Sequence, residues 1–101
     1  MDYSLVSASG ALEIRLQGKV NFSAQAVFRK IIEELKTSSE SRWVLVLSAA
    51  ENIDSSGLGL LLRLKRLADQ NNKSLVMRDP QSGQPKTMLD NSSFEDLVPF
   101  E

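Results

Sequence analysis

Two neighbouring stretches constrain the chain most: the apolar run Trp43-Val44-Leu45-Val46-Leu47, and the turn Ile53-Asp54-Ser55-Ser56-Gly57-Leu58-Gly59-Leu60 that leads into a leucine-rich segment. An apolar run without alternation reads as an inner strand covered on both faces, which implies a crossover connection and a partly parallel sheet. After the turn, Leu60, Leu61, Leu64, Leu67 and Ala68 share one broad face at about 100° per residue. Leu58 and Leu62 lie beside that face, flanked by Lys65, Arg66 and Asp69. A helix is therefore expected from about Ser56 to Gln70, stopping at Asn71-Asn72. Asp54 or Ser55 serves as its N-cap, because a short side-chain oxygen can accept from an unpaired first-turn amide. Ser56 then falls within the first turn. Small residues at Ser55, Ser56, Gly57 and Gly59 leave the helix start thinly covered, so another molecule can approach the hydroxyl and the backbone. Leu58 and Leu62 form either a contact patch next to Ser56 or an edge buried against a further helix.

The preceding segments supply what this unit packs on. Tyr3 to Ala8 and Ala11 to Gln17 flank Ser9-Gly10, and Leu12, Ile14 and Leu16 alternate with Glu13, Arg15 and Gln17. A period of two around a glycine turn reads as a hairpin with one buried face, closed by Gly18. The period then becomes helical: Ala24, Val27, Phe28, Ile31, Ile32 and Leu35 form a stripe, with Ser23 as expected N-cap. Arg29/Glu33 and Lys30/Glu34 stand at i,i+4 on the other face, a spacing at which unlike charges attract. Beyond the second helix, Leu75-Val76-Met77 is a short strand broken by Asp79-Pro80. Pro85 suits the first turn of a short helix carrying Met88 and Leu89. The end, Phe94 to Phe100, has isolated apolar anchors that fit a helical turn or a docked tail. The order β-β-α-β-α-β-α describes one α/β domain over residues 1–101, with a mixed sheet of about four strands covered mainly on one side by helices.

Composition removes most chemistry. Among 101 residues there is no cysteine and no histidine, so thiol nucleophiles, imidazole bases, disulfides and the usual zinc ligands are all missing. Twelve Lys+Arg against thirteen Asp+Glu give a net charge of −1, without a basic block suited to nucleic acid. No stretch reaches the roughly 20 apolar residues of a membrane span, and no secretory leader opens the chain, so a cytoplasmic protein is expected.

The turn lacks the partners that several familiar chemistries require. Gly57-Leu58-Gly59 has the glycine spacing that opens a dinucleotide loop, but Leu62 stands at the third glycine position and no Gly-Lys-Ser/Thr follows. A hydrolytic Ser56 would need a base, and Lys65 is too far along the helix. Asp54 and Glu51 are too few for a magnesium site. No cofactor is expected, and no enzymatic activity.

The string Ile53-Asp54-Ser55-Ser56-Gly57-Leu58-Gly59, between an apolar strand and a leucine-rich helix, resembles the signature of the STAS domain, and specifically of bacterial anti-sigma factor antagonists. The resemblance extends over nearly the whole chain, from the opening strands to the strand ending near Asp79-Pro80. It implies that Ser56, the second serine of the pair, is phosphorylated by an anti-sigma factor that is also a serine kinase, and restored by a PP2C-type phosphatase. The unphosphorylated protein would bind the anti-sigma factor and free its sigma factor. The partner surface would comprise Asn21, Phe22, Asp54, Ser55, Ser56, Gly57, Leu58 and Leu62. Three positions differ from the family's usual pattern: Asn21 where an acidic residue is common, Asn52 where an apolar or aromatic residue stands, and Val46 where Asp or Asn is frequent. A non-switching member, the accessory subunit that binds the ATPase of an ABC lipid transporter, is the alternative. It is similar in size and in the aspartate-led turn, but has no need of the serine pair.

Overall fold

The computed structural model describes residues 1–78 and 80–101 and has the expected α/β order. Strands β1 (Asp2–Ala8), β2 (Ala11–Val20), β3 (Arg42–Ile53) and β4 (Ser74–Arg78) form one sheet in the order β1-β2-β3-β4. β1 and β2 are antiparallel, whereas β2/β3 and β3/β4 are parallel. Helices α1 (Gln25–Leu35), α2 (Ser55–Gln70) and α3 (Gly83–Asn91) fill the connections and the C-terminal end. Ser9 and Gly10, at φ 54° and 81°, make the hairpin turn, in which positive φ at both positions matches the twist of the two strands.

Several boundaries differ from expectation for identifiable reasons. Gly18 does not end β2: it adopts φ +88° inside the strand, and pairing continues to Val20. β3 continues well beyond Leu47 through small and polar residues, because β2 supplies a ladder partner as far as Ile53. It carries two bulges there. Arg15 and Gln17 face Val46 and Ala49, and Gly18 and Lys19 face Ala50 and Asn52, so β3 twice holds an extra residue. Ser23 is not the cap of α1. Asn21 caps a preceding 3-10 turn, Phe22–Ala24, its Oδ1 accepting from the Ser23 amide at 3.1 Å and the Ser23 hydroxyl at 2.6 Å. Arg29/Glu33 and Lys30/Glu34 do not form the expected pairs; Glu33 takes Lys36 instead, and Glu34 accepts from the Tyr3 hydroxyl at 2.6 Å. α2 ends as expected, with Asn72 at φ 57° and the Lys73 amide bonded to the Ala68 carbonyl. The expected break at Asp79-Pro80 falls partly outside the described residues.

All three helices pack on one face of the sheet. Phe28, Ile31 and Leu35 of α1, Leu60, Leu61 and Leu64 of α2, and Leu89 of α3 close over Leu12, Ile14, Trp43, Leu45 and Leu47. The chain end does both things left open by its sequence: a 3-10 turn forms at Phe94–Asp96, and the tail then docks beside β4, where the Met77 amide donates to the Pro99 carbonyl at 2.8 Å and the Glu101 amide to Met77 at 2.9 Å.

The opposite face corrects the expectation that β3 is covered by other elements on both sides. Ala11, Val44 and Val46 form a small cluster there, shielded by charged side chains instead of a helix. Glu13, only 7% exposed, accepts from Arg15 Nε and Nη2 (2.9 and 2.6 Å) and from Arg78 Nη1 (2.7 Å). Arg78 also donates to Glu101, which Arg42 reaches at 3.0 Å. Arg78 first, then Arg15, hold the Glu13 carboxyl below its ordinary range, and Arg78 does the same for Glu101. Between the folded and unfolded pKa values the unfolded chain binds more protons, so stability increases with pH in that window. The contribution is complete above the ordinary carboxylate value and is lost as pH falls through the lowered folded one. Melting temperature should hold level from neutrality to about pH 5 and drop below it. Glu13→Gln should flatten that acid limb; an unchanged limb would show that the Glu13 ion pairs do not govern it.

Candidate functional site

The parallel pairing of β2 and β3 creates the site. Val20 and Ile53 end these strands as register partners, so the segments that follow them, Asn21-Phe22 and Asp54-Ser55-Ser56, emerge side by side on one rim. The Asp54 amide crosses to the Val20 carbonyl at 3.4 Å and ties the two together. Of the two N-cap alternatives, Asp54 is the residue used. Its Oδ1 accepts from the Gly57 amide at 2.8 Å and its carbonyl from the Leu58 amide at 2.9 Å. Ser55 and Ser56 are therefore the first two residues of α2, and both are exposed.

Gly57 is buried, so it does not belong to the accessible surface on which the sequence placed it. A Cβ there would press into the Val20 carbonyl, lying 2.9 Å from its carbon and 3.2 Å from Ile53 Cγ2. The residue lets the helix start rest directly on the end of β2. Gly59 faces open space, so its missing side chain exposes backbone.

The remaining expected residues divide into two flanks. Phe22 is 68% exposed, the largest exposed apolar side chain among the described residues, and Asn21 beside it is half-buried by its capping role. Leu58 and Leu62 are half-buried against the main core. At about 100° per residue, Leu58 is turned roughly 160° and Leu62 roughly 120° away from Ser56. They do not form one face with the serine. Lys65 pairs with Asp69 at 2.8 Å and is no base for Ser56. Glu51 is exposed, and Asn52 lies in β3 opposite Lys19.

One residue that holds the site left no trace in the sequence. The Gln84 amide of α3 clamps the Ile53 backbone from both sides, Oε1 accepting from the Ile53 amide and Nε2 donating to its carbonyl, each at 2.8 Å. β4 pairs with β3 only as far as Val46, so Gln84 replaces the missing ladder partner immediately before Asp54. Gln84→Leu leaves a buried donor and acceptor unmatched, which costs about 1–3 kcal/mol. The loss should be read as a lower melting temperature, with amide exchange at Ile53 and Asp54 accelerated more than in the α1 core. Uniform acceleration would mean that the clamp has no local role.

Chemically, the rim offers an exposed hydroxyl at the positive end of a 16-residue helix, where added negative charge is favoured by the macrodipole. Among the described residues no helix is long and apolar enough to cross a membrane.

A family model described as "Mlab, STAS domain" matches residues 4–99. A STAS-domain containing protein of Pseudomonas aeruginosa is 35% identical over 95 residues, covering 93% of this chain and 92% of that one. Among solved structures, a Thermotoga maritima protein superposes with a TM-score of 0.81 at 17% identity, covering 97% and 84% of the two chains. The Bacillus cell fate determinant SpoIIAA in its phosphorylated form gives 0.68 at 19% identity, covering 96% and 88%. The structure of its unphosphorylated form is that of an anti-sigma factor antagonist. At these identities the structural likeness is one of fold.

Proposed function

The chain belongs to the STAS domain family, and from that premise we propose that it is a cytoplasmic anti-sigma factor antagonist whose binding is gated at Ser56. It acts by docking and not by catalysis. In the unmodified state the rim formed by Asn21, Phe22, Asp54, Ser55 and Ser56 docks on an anti-sigma factor with serine kinase activity and releases the sigma factor. That kinase phosphorylates Ser56, binding is lost, and a PP2C-type phosphatase restores it. The observation that carries this reading is the position of Ser56: exposed, in the first turn of α2, on a turn fixed by the Asp54 cap, the Val20 contact and the Gln84 clamp. Phosphate adds about −1.5 to −2 charges. At a helix N-terminus that charge is favourable by roughly 0.3–1 kcal/mol, so the fold tolerates it and the partner feels it.

A second reading, a non-switching accessory subunit on the ATPase of an ABC lipid transporter, is favoured by the description of the matching family model. Intact mass of the protein purified from its own host, with and without phosphatase treatment, separates the two. The first reading expects a phosphate-sized shift that phosphatase removes and Ser56→Ala abolishes. Absence of the shift under conditions that activate the pathway would favour the accessory subunit.

A further inference from the structure

α1 and α2 leave a groove of about 300 Å³ between them, lined by Ile32, Lys36, Arg63, Arg66, Leu67 and Gln70. Half-buried Ile32 and buried Leu67 give it an apolar floor, and three exposed cations form its walls. No acid lines it. Lys36 engages Glu33 on its own helix at 3.2 Å, but Arg63 and Arg66 enter no ion pair among the described residues. This is a positive strip on a chain whose net charge is −1.

The strip points along α2 toward the serine. Ser56 and Arg63 are seven residues apart on α2, so they lie on one row, about 10 Å apart along the axis. We infer that this groove is the track on which the partner lies, and that it takes an acidic amphipathic segment of a protein. Apolar side chains of that segment rest on Ile32 and Leu67, and its carboxylates meet the Arg63 and Arg66 guanidinium groups, whose planar forks suit them. The inference rests on the reading of Ser56 as the gate and adds the sign of what it gates. A phosphate at one end of the track stands within about a Debye length of the first arginine. It therefore repels the same kind of segment that the arginines attract.

The test uses the full chain, labelled with nitrogen-15, and three probes: an amphipathic helical peptide of leucine, alanine and glutamate; its counterpart with lysine in place of glutamate; and phosphatidylglycerol vesicles. The glutamate peptide should shift the amide signals of Ile32, Arg63 and Leu67, and bind at least tenfold more tightly than the lysine peptide. Arg63→Glu with Arg66→Glu should weaken it at least tenfold without changing the melting temperature, and Arg63→Ala with Arg66→Ala should weaken it less. Ser56→Asp should weaken it as well. Shifts confined elsewhere, indifference to charge reversal, or the same shifts produced by vesicles would each overturn the groove as a peptide track. Indifference to Ser56→Asp would overturn its link to the serine. Because none of these probes requires a kinase, an unphosphorylated Ser56 in the host would count against the gate alone.

Discussion

A Gly57→Ala chain should be destabilised by about 3 kcal/mol or more, a large effect for adding one methyl group to a helix. Alanine is ordinarily the better helix residue, favoured over glycine by about 1 kcal/mol at exposed interior positions. Here the sign reverses because the new carbon meets backbone. The Val20 carbonyl that it strikes also accepts from the Asp54 amide, and Ile53 closes the other side, so no flexible side chain can yield. Either α2 rises off the end of β2 or β2 bends away. For a domain of this size the loss corresponds to a fall of roughly 12–24 °C in melting temperature. Gly59→Ala is the control, since its Cβ meets open space; that chain should keep its stability or gain a little. Equal behaviour of the two variants would show that the helix start does not bear on β2.

Ser56→Asp should weaken binding to the anti-sigma factor at least a hundredfold, about 2.7 kcal/mol, while Ser56→Ala binds as tightly as the unmodified protein and no longer responds to the kinase. Serine presents a small neutral group to the interface. A carboxylate or phosphate trapped there without a cation loses hydration that the complex does not replace, and such burial costs several kcal/mol. Free in solution, the same charge sits at the helix start and is weakly favoured. The melting temperature of Ser56→Asp should therefore match or slightly exceed that of the unmodified chain. This combination identifies a switch that acts on docking and leaves the fold alone. If the aspartate chain bound the partner undiminished, Ser56 would not be the gate.

The parts of the fold legible in the sequence were those encoded by local periodicity. The stripe Leu60, Leu61, Leu64, Leu67 and Ala68 is the buried face of α2, and the helix ends at Asn71-Asn72 because Asn72 accepts positive φ. Asp54 was recognisable as a cap because capping is a relation over three residues. What escaped depends on distant partners. The small and polar residues from Ser48 to Asn52 extend β3 only because β2 runs alongside, and Gln84 reaches Ile53 across 31 positions. Glu13 and Arg78, 65 positions apart, shield a sheet face for which the apolar run suggested a further layer. Phe22 and Ser56 could be placed on one rim by the expected parallel pairing. The separation of Leu58 and Leu62 from that rim follows from helix phase, once the cap fixes which residue begins the helix.

The parallel strands also give the domain a quiet end. Every segment that enters β2, β3 or β4 (Ser9-Gly10, the stretch before Arg42, Asn71 to Lys73) lies at the rim opposite Ser56, the full length of β3 away. A reporter or extra loop spliced between Ser9 and Gly10, at the hairpin tip and away from the groove that ends at Gln70, would thus leave the docking rim and the groove clear.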